Sequence, residues 1–275
     1  MTGWHQQRLA ALDFESSGRD PLTARIVSCA VVLVGGGQPT TTYEWLLNPG
    51  IAMEPGAIAV HGITDEYAAE HGTPAADGVR EIVATVYTLV QAGVPLVGHN
   101  IGSYDLTLLD CESQRHGGGT LVEACRQPLT RVIDTLRLDK HAAPFRKRVS
   151  ETQGPYQLRT TAETYGLKWE EGQAHGAAYD ALKSVQVAWV MGCIAHRPAG
   201  ERPEWVQALR NSRGPYEAFD DLVCDVEELH RRQVRWAAED AASYQEWLRS
   251  PKAREKQDPN AVIDGEWPLR SGGAT

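Results

Sequence analysis

The sequence predicts an α/β sandwich, because strand-like segments come first, segments of helical periodicity follow, and a short strand interrupts the helices. Leu9 to Phe14 and Arg25 to Val34 are near-continuous apolar runs bounded by Ser16-Ser17-Gly18 and Gly35-Gly36-Gly37, the pattern of strands buried on both faces. Thr40 to Leu47 alternates and ends at Asn48-Pro49-Gly50, so the three make an antiparallel meander. Val79, Ile82, Val83, Val86, Leu89 and Val90 recur at helical spacing, and Pro95 to Gly98 begins a short apolar strand, which together suggest a crossover. Further helices are expected at Tyr104 to Gln114, Gln157 to Tyr165 and Ala177 to His196, with Arg131 to Ile133 as a last strand. The expected sheet is mixed, five-stranded and flanked by helices.

Arg197-Pro198-Ala199-Gly200 breaks this pattern, and beyond it the chain is polar and rich in charged pairs. The expected division is residues 1–198 as the principal domain and residues 199–275 as a C-terminal helical extension with an extended tail. From Phe219 to Leu248 an apolar stripe runs through Leu222, Val226, Leu229, Trp236, Ala237, Tyr244 and Leu248, interrupted by Gln233, and predicts one long helix. Such a helix either docks on the principal domain or meets another chain. Ser250 to Thr275 contains Pro251, Pro259 and Pro268 and has no periodicity, as in an extended or disordered arm. Removal of residues 201–275 is expected to leave the sandwich intact.

With 275 residues, 42% of them hydrophobic, the chain can bury a full core. Its longest apolar run, Ile26 to Val34, is far short of the roughly 18 to 20 residues that span a bilayer. No membrane association is expected. The polar stretch from Met1 to Arg8 lacks the apolar region of a secretory signal, so the expected location is cytoplasmic. Five cysteines form no C-x-x-C pair and suit neither a disulfide framework nor a zinc finger. A net charge of -9 argues against a surface that coats phosphates generally, and any nucleic-acid contact must be local. One such locality is Arg137 to Arg159, with six basic residues (Arg137, Lys140, Arg146, Lys147, Arg148, Arg159) against Asp139 and Glu151. It is a solvated loop or a guide for a phosphate backbone.

Asp13 and Glu15 stand two apart on the first predicted strand, so both carboxylates leave one face while Phe14 points into the core. His99-Asn100 closes a later strand, and Asp105 follows at the start of a helix, where turn geometry and the helix dipole favour a carboxylate. His175 lies in a glycine-containing loop five residues before Asp180, which sits inside the helix carrying Leu182, Val185 and Val187. Each motif alone also reads as a polar strand end or a helix cap.

In this order, D-x-E, H-N-x4-D and H-x4-D resemble the DEDDh exonuclease superfamily, the DnaQ-like group of proofreading subunits, autonomous DNA exonucleases, ribonuclease T and oligoribonuclease. The likeness covers roughly residues 9 to 195. Leu12-Asp13-Phe14-Glu15-Ser16-Ser17-Gly18 stands in place of the family's D-x-E-T-T-G, Val60-His61-Gly62-Ile63-Thr64 matches its H-G-I-T, and Ile133-Asp134-Thr135 and Tyr165-Gly166-Leu167 are further similarities. Two departures stand out. Ser16-Ser17 keeps hydroxyls but loses methyl groups, and the stretch from His99 to Asp105 is one residue longer than in proofreading subunits, closer to animal autonomous DNA exonucleases.

The resemblance implies a ribonuclease H-like fold and a catalytic set of Asp13, Glu15, Asp105, His175 and Asp180. Asp13, Glu15, Asp105 and Asp180 would be the ligands of two divalent cations, Mg²⁺ or Mn²⁺, since four clustered carboxylates repel unless hard cations sit among them. His175 would accept the proton of the attacking water. Substrate contacts are expected from Phe14, Ser16, Ser17, Gly18, Asn100 and Tyr104, from His61 beside the terminal base, and from Arg146, Lys147 and Arg148 along the backbone. The implied activity is 3′-to-5′ exonucleolytic hydrolysis with release of nucleoside 5′-monophosphates. The expected partner is a nucleic acid with a free 3′ end, DNA favoured, and the C-terminal helix offers contact with a second copy or a polymerase. The alternatives are an exoribonuclease of the same fold and a non-hydrolytic polymerase-accessory module that binds nucleic acid.

Overall fold

Aliphatic residues on both faces of the opening segments produce the expected meander in the computed structural model, which describes residues 3–144, 146–212 and 218–270. β1 (Leu9–Ser16) pairs antiparallel with β2 (Ile26–Val34), and β2 with β3 (Thr41–Asn48). The chain then forms α1 (Pro55–His61), α2 (Asp65–His71), β4 (Thr73–Pro74), α3 (Ala75–Gln91) and β5 (Leu96–Gly98). It continues through α4 (Thr107–Arg115), α5 (Leu121–Cys125), β6 (Val132–Asp134), α6 (Thr135–Ala142), α7 (Leu158–Thr164) and α8 (Ala177–Ala195). α9 (Glu204–Ser212) and α10 (Val226–Arg249) complete the elements used below. Among the described residues the sheet has six strands in the order β4-β3-β2-β1-β5-β6, with β5 and β6 parallel to β1. The strand beyond the expected five is β4, which pairs with the end of β3. Two residues, one a proline, are too few to leave a period-2 signature.

Strand alternation divides β1 between two cores. Ala10, Leu12 and Phe14 face α3, α4 and α5, with Val79, Ile82, Val86, Leu108 and Leu121. Leu9 and Ala11 face α8, where Ala181, Val185 and Ala188 are small enough for close approach. The odd-numbered face of β1 therefore carries Asp13 and Glu15 towards the first turn of α8. That register is set by burial, because a slip of one residue would exchange the two faces.

The short helices α1, α2, α5 and α6 escape sequence periodicity because local signals start them, Pro55 at the first position of α1 and side-chain caps in the other three. Thr64 accepts from the Tyr67 N–H at 3.2 Å, Thr120 and Glu123 form a reciprocal capping box, and Asp134 accepts from the Leu136 N–H at 3.0 Å. The expected helix at Tyr104 begins as a π-helical turn, Gly102–Leu106, that runs into α4. The long C-terminal helix starts at Val226, where Asp225 caps the Glu228 N–H at 2.7 Å.

α10 docks on the chain itself. Leu222, Val226, Leu229, Trp236 and Ala237 are buried, so most of the stripe that the sequence offered to a partner is covered from within. Gln233, the apparent interruption, is fully buried because β6 is an edge strand. Its amide donates to the Val132 carbonyl at 3.0 Å and accepts from the Asp134 N–H at 2.7 Å. His230 Nδ1 accepts from the Val132 N–H at 3.3 Å. Side chains thus take the place of a further strand on a free sheet edge. Accepting at Nδ1 requires an unprotonated nitrogen there, and burial lowers the His230 pKa to about 4.

The segment after α10 is packed, which differs from the expected arm. A 3-10 turn covers Pro251–Lys256, and the chain then returns along α10, the Ile263 N–H donating to Gln245 at 3.0 Å. Trp267 is buried against Gly102 in the π-helical turn, where a single added Cβ would lie 2.0 Å from its indole nitrogen. Residues 271–275 lie outside the described residues. At the other end of the chain, the Trp4 indole donates to the Leu222 carbonyl at 2.8 Å. No helix among the described residues is long and apolar enough to cross a membrane.

These contacts predict that Gln233→Leu, which leaves a buried N–H and a buried carbonyl unpaired, costs roughly 2 to 6 kcal/mol at about 1 to 3 kcal/mol per group. A chain ending at residue 200, contrary to the sequence expectation, should lack a cooperative thermal transition by circular dichroism. A truncated chain melting like the full one would show that the β6 edge needs no cover.

Candidate metal centre and active-site cleft

Three carboxylates converge where β1 ends and α8 begins. Asp13, Glu15 and Asp180 each offer an oxygen, and these oxygens all lie within 4.8 Å of one another. Asp180 arrives from the first turn of α8, and the neighbouring His175 favours its charged form. Asp105 is 4% exposed and comes from the π-helical turn after β5. Its Oδ1 accepts from the Phe14 N–H at 3.1 Å, so the residue between the two β1 carboxylates anchors the fourth acid. A π-helical turn at such a point re-aims a side chain that a regular helix would present elsewhere.

Burial disfavours the charged forms of all four acids, and repulsion within the cluster adds to it at Asp13 and Glu15. Asp13 is held well above the ordinary carboxylate range by burial, then by Asp105, Glu15 and Asp180. Glu15 is pushed up to about 8 by burial, Asp180 and Asp105. Asp105 is pushed up to about 8 by burial, with Asp134 adding and the Phe14 N–H opposing. In Asp180 burial outweighs the neighbouring His175, and the pKa reaches about 6. Asp180 Oδ1 is also buried without a hydrogen-bond partner. An all-oxygen donor set, an unpartnered carboxylate oxygen and mutual repulsion fit hard divalent cations.

A cleft of about 640 Å³ opens beside the cluster, with His99, Asn100, Trp169, His175 and Asp180 among its lining residues. His175 is exposed there, in left-handed backbone conformation (φ 61°) just before the Gly176 N-cap of α8. His99 is fixed by Thr135 at 2.9 Å and by the Tyr156 carbonyl at 2.8 Å, and burial lowers its pKa. Asn100 also has a left-handed backbone (φ 70°), and its N–H donates to Asp134 Oδ1 at 2.8 Å. Asp134 therefore caps both the Asn100 turn and α6. The sequence reading quoted Asp134 without a role, although an acid directly before Thr135-Leu136 is a recognisable N-cap signal.

The other expected contacts divide. Tyr104 reaches back to β1, where its hydroxyl bonds Ser16 Oγ and the Gly18 carbonyl, the latter at 2.5 Å. Ser17 Oγ accepts from the Arg25 N–H at 2.9 Å. Both serines are buried, so their hydroxyls hold the turn after β1. Gly18 is buried, and a Cβ there would have to displace the carboxylate end of the Glu54 side chain. His61 ends α1, and its Nδ1 accepts from the Ile63 N–H at 3.1 Å. Its Nε2 is buried without a partner, and burial, then the nearby His175 charge, lower its pKa against the opposing Ser16 backbone.

Three expected contacts have partners within the protein. The Phe14 side chain is 6% exposed and belongs to the core on the α3 face, so only its backbone serves the site. Arg146 is turned inward onto buried Asp139, with bonds to the Pro155 carbonyl at 2.7 Å and Thr161 at 3.2 Å. Its charge compensates an internal acid rather than a phosphate. Arg148 donates to the Glu151 carbonyl at 2.5 Å within its own loop. Lys147 remains exposed.

A family profile described as RNase_T, exonuclease, matches residues 10–188, and the chain belongs to this DEDDh-type, DnaQ-like exonuclease family. No curated protein matches the sequence. Among solved structures, E. coli Exonuclease I in complex with a dT13 oligonucleotide is similar at 18% identity and TM-score 0.55, over 68% of this chain and 41% of that one. Exonuclease I from Methylocaldum szegediense is similar at 20% identity and TM-score 0.50, over 78% and 45%. The zinc-bound E. coli ExoI–ssDNA complex is similar at 19% identity and TM-score 0.54, over 78% and 45%. The chain thus spans less than half the length of these relatives, and the likeness is one of fold.

Raised carboxyl pKa values mean that cations must displace protons from the site. With Glu15 and Asp105 near 8 and Asp180 near 6, Mn²⁺ should bind more tightly at pH 8 than at pH 6. Calorimetric titration should show proton release through a heat that varies with buffer. Affinity independent of pH, without proton release, would contradict the repulsive cluster.

Proposed function

We propose that the protein is a metal-dependent 3′-to-5′ exonuclease that hydrolyses the terminal phosphodiester of single-stranded DNA by a two-metal mechanism, releasing nucleoside 5′-monophosphates. The observation that carries this reading is the convergence of Asp13, Glu15 and Asp180 within 4.8 Å, with Asp105 tied to the backbone between the first two. Family membership over residues 10–188 supports it. The DNA preference rests on the oligonucleotides named in the matched structures. On this reading residues 1–198 are the exonuclease domain, and residues 199–275 are an extension that braces it.

Two Mg²⁺ or Mn²⁺ ions held by Asp13, Glu15, Asp105 and Asp180 would neutralise the cluster, acidify water and stabilise charge on the departing 3′ oxygen. The remaining work belongs to the chain. The cleft is of a size that holds a nucleotide. His61, with its unpartnered Nε2, and Asn100 position the terminal nucleotide. His175 takes the proton of the attacking water at an imidazole nitrogen, and it stands just before the Gly176 N-cap of the helix whose first turn carries Asp180. The water oxygen joins phosphorus, the bond from phosphorus to the 3′ oxygen breaks, and the shortened strand keeps a 3′ hydroxyl.

Incubation with 5′-labelled single-stranded DNA, duplex DNA and RNA, with Mg²⁺, Mn²⁺ or EDTA, tests the reading. Single-stranded DNA should shorten stepwise from its 3′ end with either cation and not with EDTA. Asp13→Ala should abolish the reaction with little effect on folding, and wild-type rates in that variant would overturn the metal assignment. His175→Ala should slow turnover by roughly 10² to 10⁴ fold while Mn²⁺ binding persists. Lost Mn²⁺ binding in that variant would make His175 a ligand rather than the base. Preferential RNA shortening would favour the exoribonuclease, and no shortening with retained binding would favour the accessory module.

A further inference from the structure

α10 is longer than the strand it covers, and its overhang is aromatic. At about 3.6 residues per turn, Asp240, Tyr244 and Trp247 lie within about 40° of Gln233 around the helix axis. They continue the face that seals β6. α10 climbs β6 from Glu227 beside Arg131 to Gln233 beside Asp134, that is, from the start of the strand to its C-terminal end. Asp240 then meets Arg137 of α6 at 3.1 Å, and Arg137 reaches Ser103, next to Tyr104, at 3.3 Å. With a rise of about 1.5 Å per residue, Tyr244 and Trp247 stand about 16 and 21 Å beyond Gln233. They are past the edge of the sheet at which the carboxylates gather.

There the face is open to solvent. Tyr244 and Trp247 are 49% and 36% exposed, and their rings stack with centroids 5.7 Å apart and planes 15° from parallel. Arg249, Lys252, Arg254 and Lys256 follow, all exposed, against the acids Glu246, Glu255 and Asp258. This local excess of positive charge contrasts with the chain's net charge of -9. A preformed aromatic stack beside cations suits a single strand, whose bases stack on aromatic faces regardless of sequence while basic groups follow the phosphates.

We propose that Tyr244 and Trp247 form a stacking platform for bases of a single-stranded nucleic acid upstream of its 3′ end, with the basic turn after α10 holding the adjoining phosphates. The proposal rests on the exonuclease reading for its polarity, and it adds a second contact on the order of 20 Å from the carboxylates. A three-nucleotide substrate is too short to use both.

The test compares full-length wild type, Tyr244→Ala/Trp247→Ala and Tyr244→Phe/Trp247→Phe. Fluorescence anisotropy in EDTA measures binding of 5′-labelled dT20, and kinetics with Mg²⁺ measure turnover of dT20 and dT3. The alanine pair should weaken dT20 binding and raise its KM by roughly 10-fold or more, from the loss of base–aromatic stacking. Its kcat and its kinetics on dT3 should be unchanged, and the phenylalanine pair should stay within about 3-fold of wild type. Unchanged dT20 binding in the alanine pair would overturn the platform, as would equal losses on dT20 and dT3. A shift from dimer to monomer with dT20 binding intact would overturn it too, by assigning the rings to a second copy. Absence of any hydrolysis by wild type would sink the exonuclease reading, while the anisotropy comparison would still decide the platform.

Discussion

The hydrogen bond from the Phe14 N–H to Asp105 gathers the site against the repulsion of its own members. Asp13 and Glu15 leave one face of β1, Asp180 enters from α8 to meet them, and the backbone between the first two holds Asp105 beside this trio. Burial raises all four carboxyl pKa values, and repulsion from the other acids adds to it at Asp13 and Glu15. The apo site is therefore an arrangement that the core imposes. Leu12 and Phe14 on one face of β1, and Ala11 against Ala181 and Val185 on the other, fix the strand tightly enough to carry it.

The C-terminal segment belongs to the same mechanical account. β6 is three residues long and lies at the edge of the sheet, yet Asp134 at its end caps both the Asn100 turn and α6. Gln233 and His230 satisfy the strand's outer groups, and Trp267 closes over Gly102 in the turn that bears Tyr104 and Asp105. Catalytic geometry on this edge therefore depends on residues more than a hundred positions away in the chain.

Much of this was legible in the sequence. The buried strands β1 and β2, the amphipathic α3 and the apolar α8 appear where periodicity places them, since each buries enough surface to enforce its pattern. Asp13, Glu15, Asp105, His175 and Asp180 are read from the order of three motifs and the family these resemble, since each motif alone also fits a strand end or a helix cap. Less legible was whatever depends on partners distant in sequence. Gln233 looked like a flaw in an apolar stripe and is its most specific contact. Arg146 looked like a phosphate ligand, and nothing local announces that it turns in to buried Asp139. Ser250 onward lacked periodicity, yet Trp267 anchors it. A π-helical turn likewise cannot be told from an ordinary helix start by composition.

Thermal unfolding in EDTA across pH, wild type against Asp13→Asn, tests the central claim of a core-imposed repulsive cluster most directly. A carboxyl whose folded pKa lies above its unfolded value holds a proton that the unfolded chain releases, so its stabilising contribution is complete below about pH 4 and disappears as pH climbs through the folded value. Asp180 sits near 6, and Glu15 and Asp105 near 8. Using the difference between the two proteins removes the contributions of Asp139, His5 and His230, whose pKa values are also displaced. The wild type should lose stability relative to Asp13→Asn between about pH 5 and 8, and Mn²⁺ at pH 8 should raise the wild-type Tm while leaving the variant's much less changed. Parallel curves in EDTA, with the same Mn²⁺ effect on both proteins, would contradict the claim.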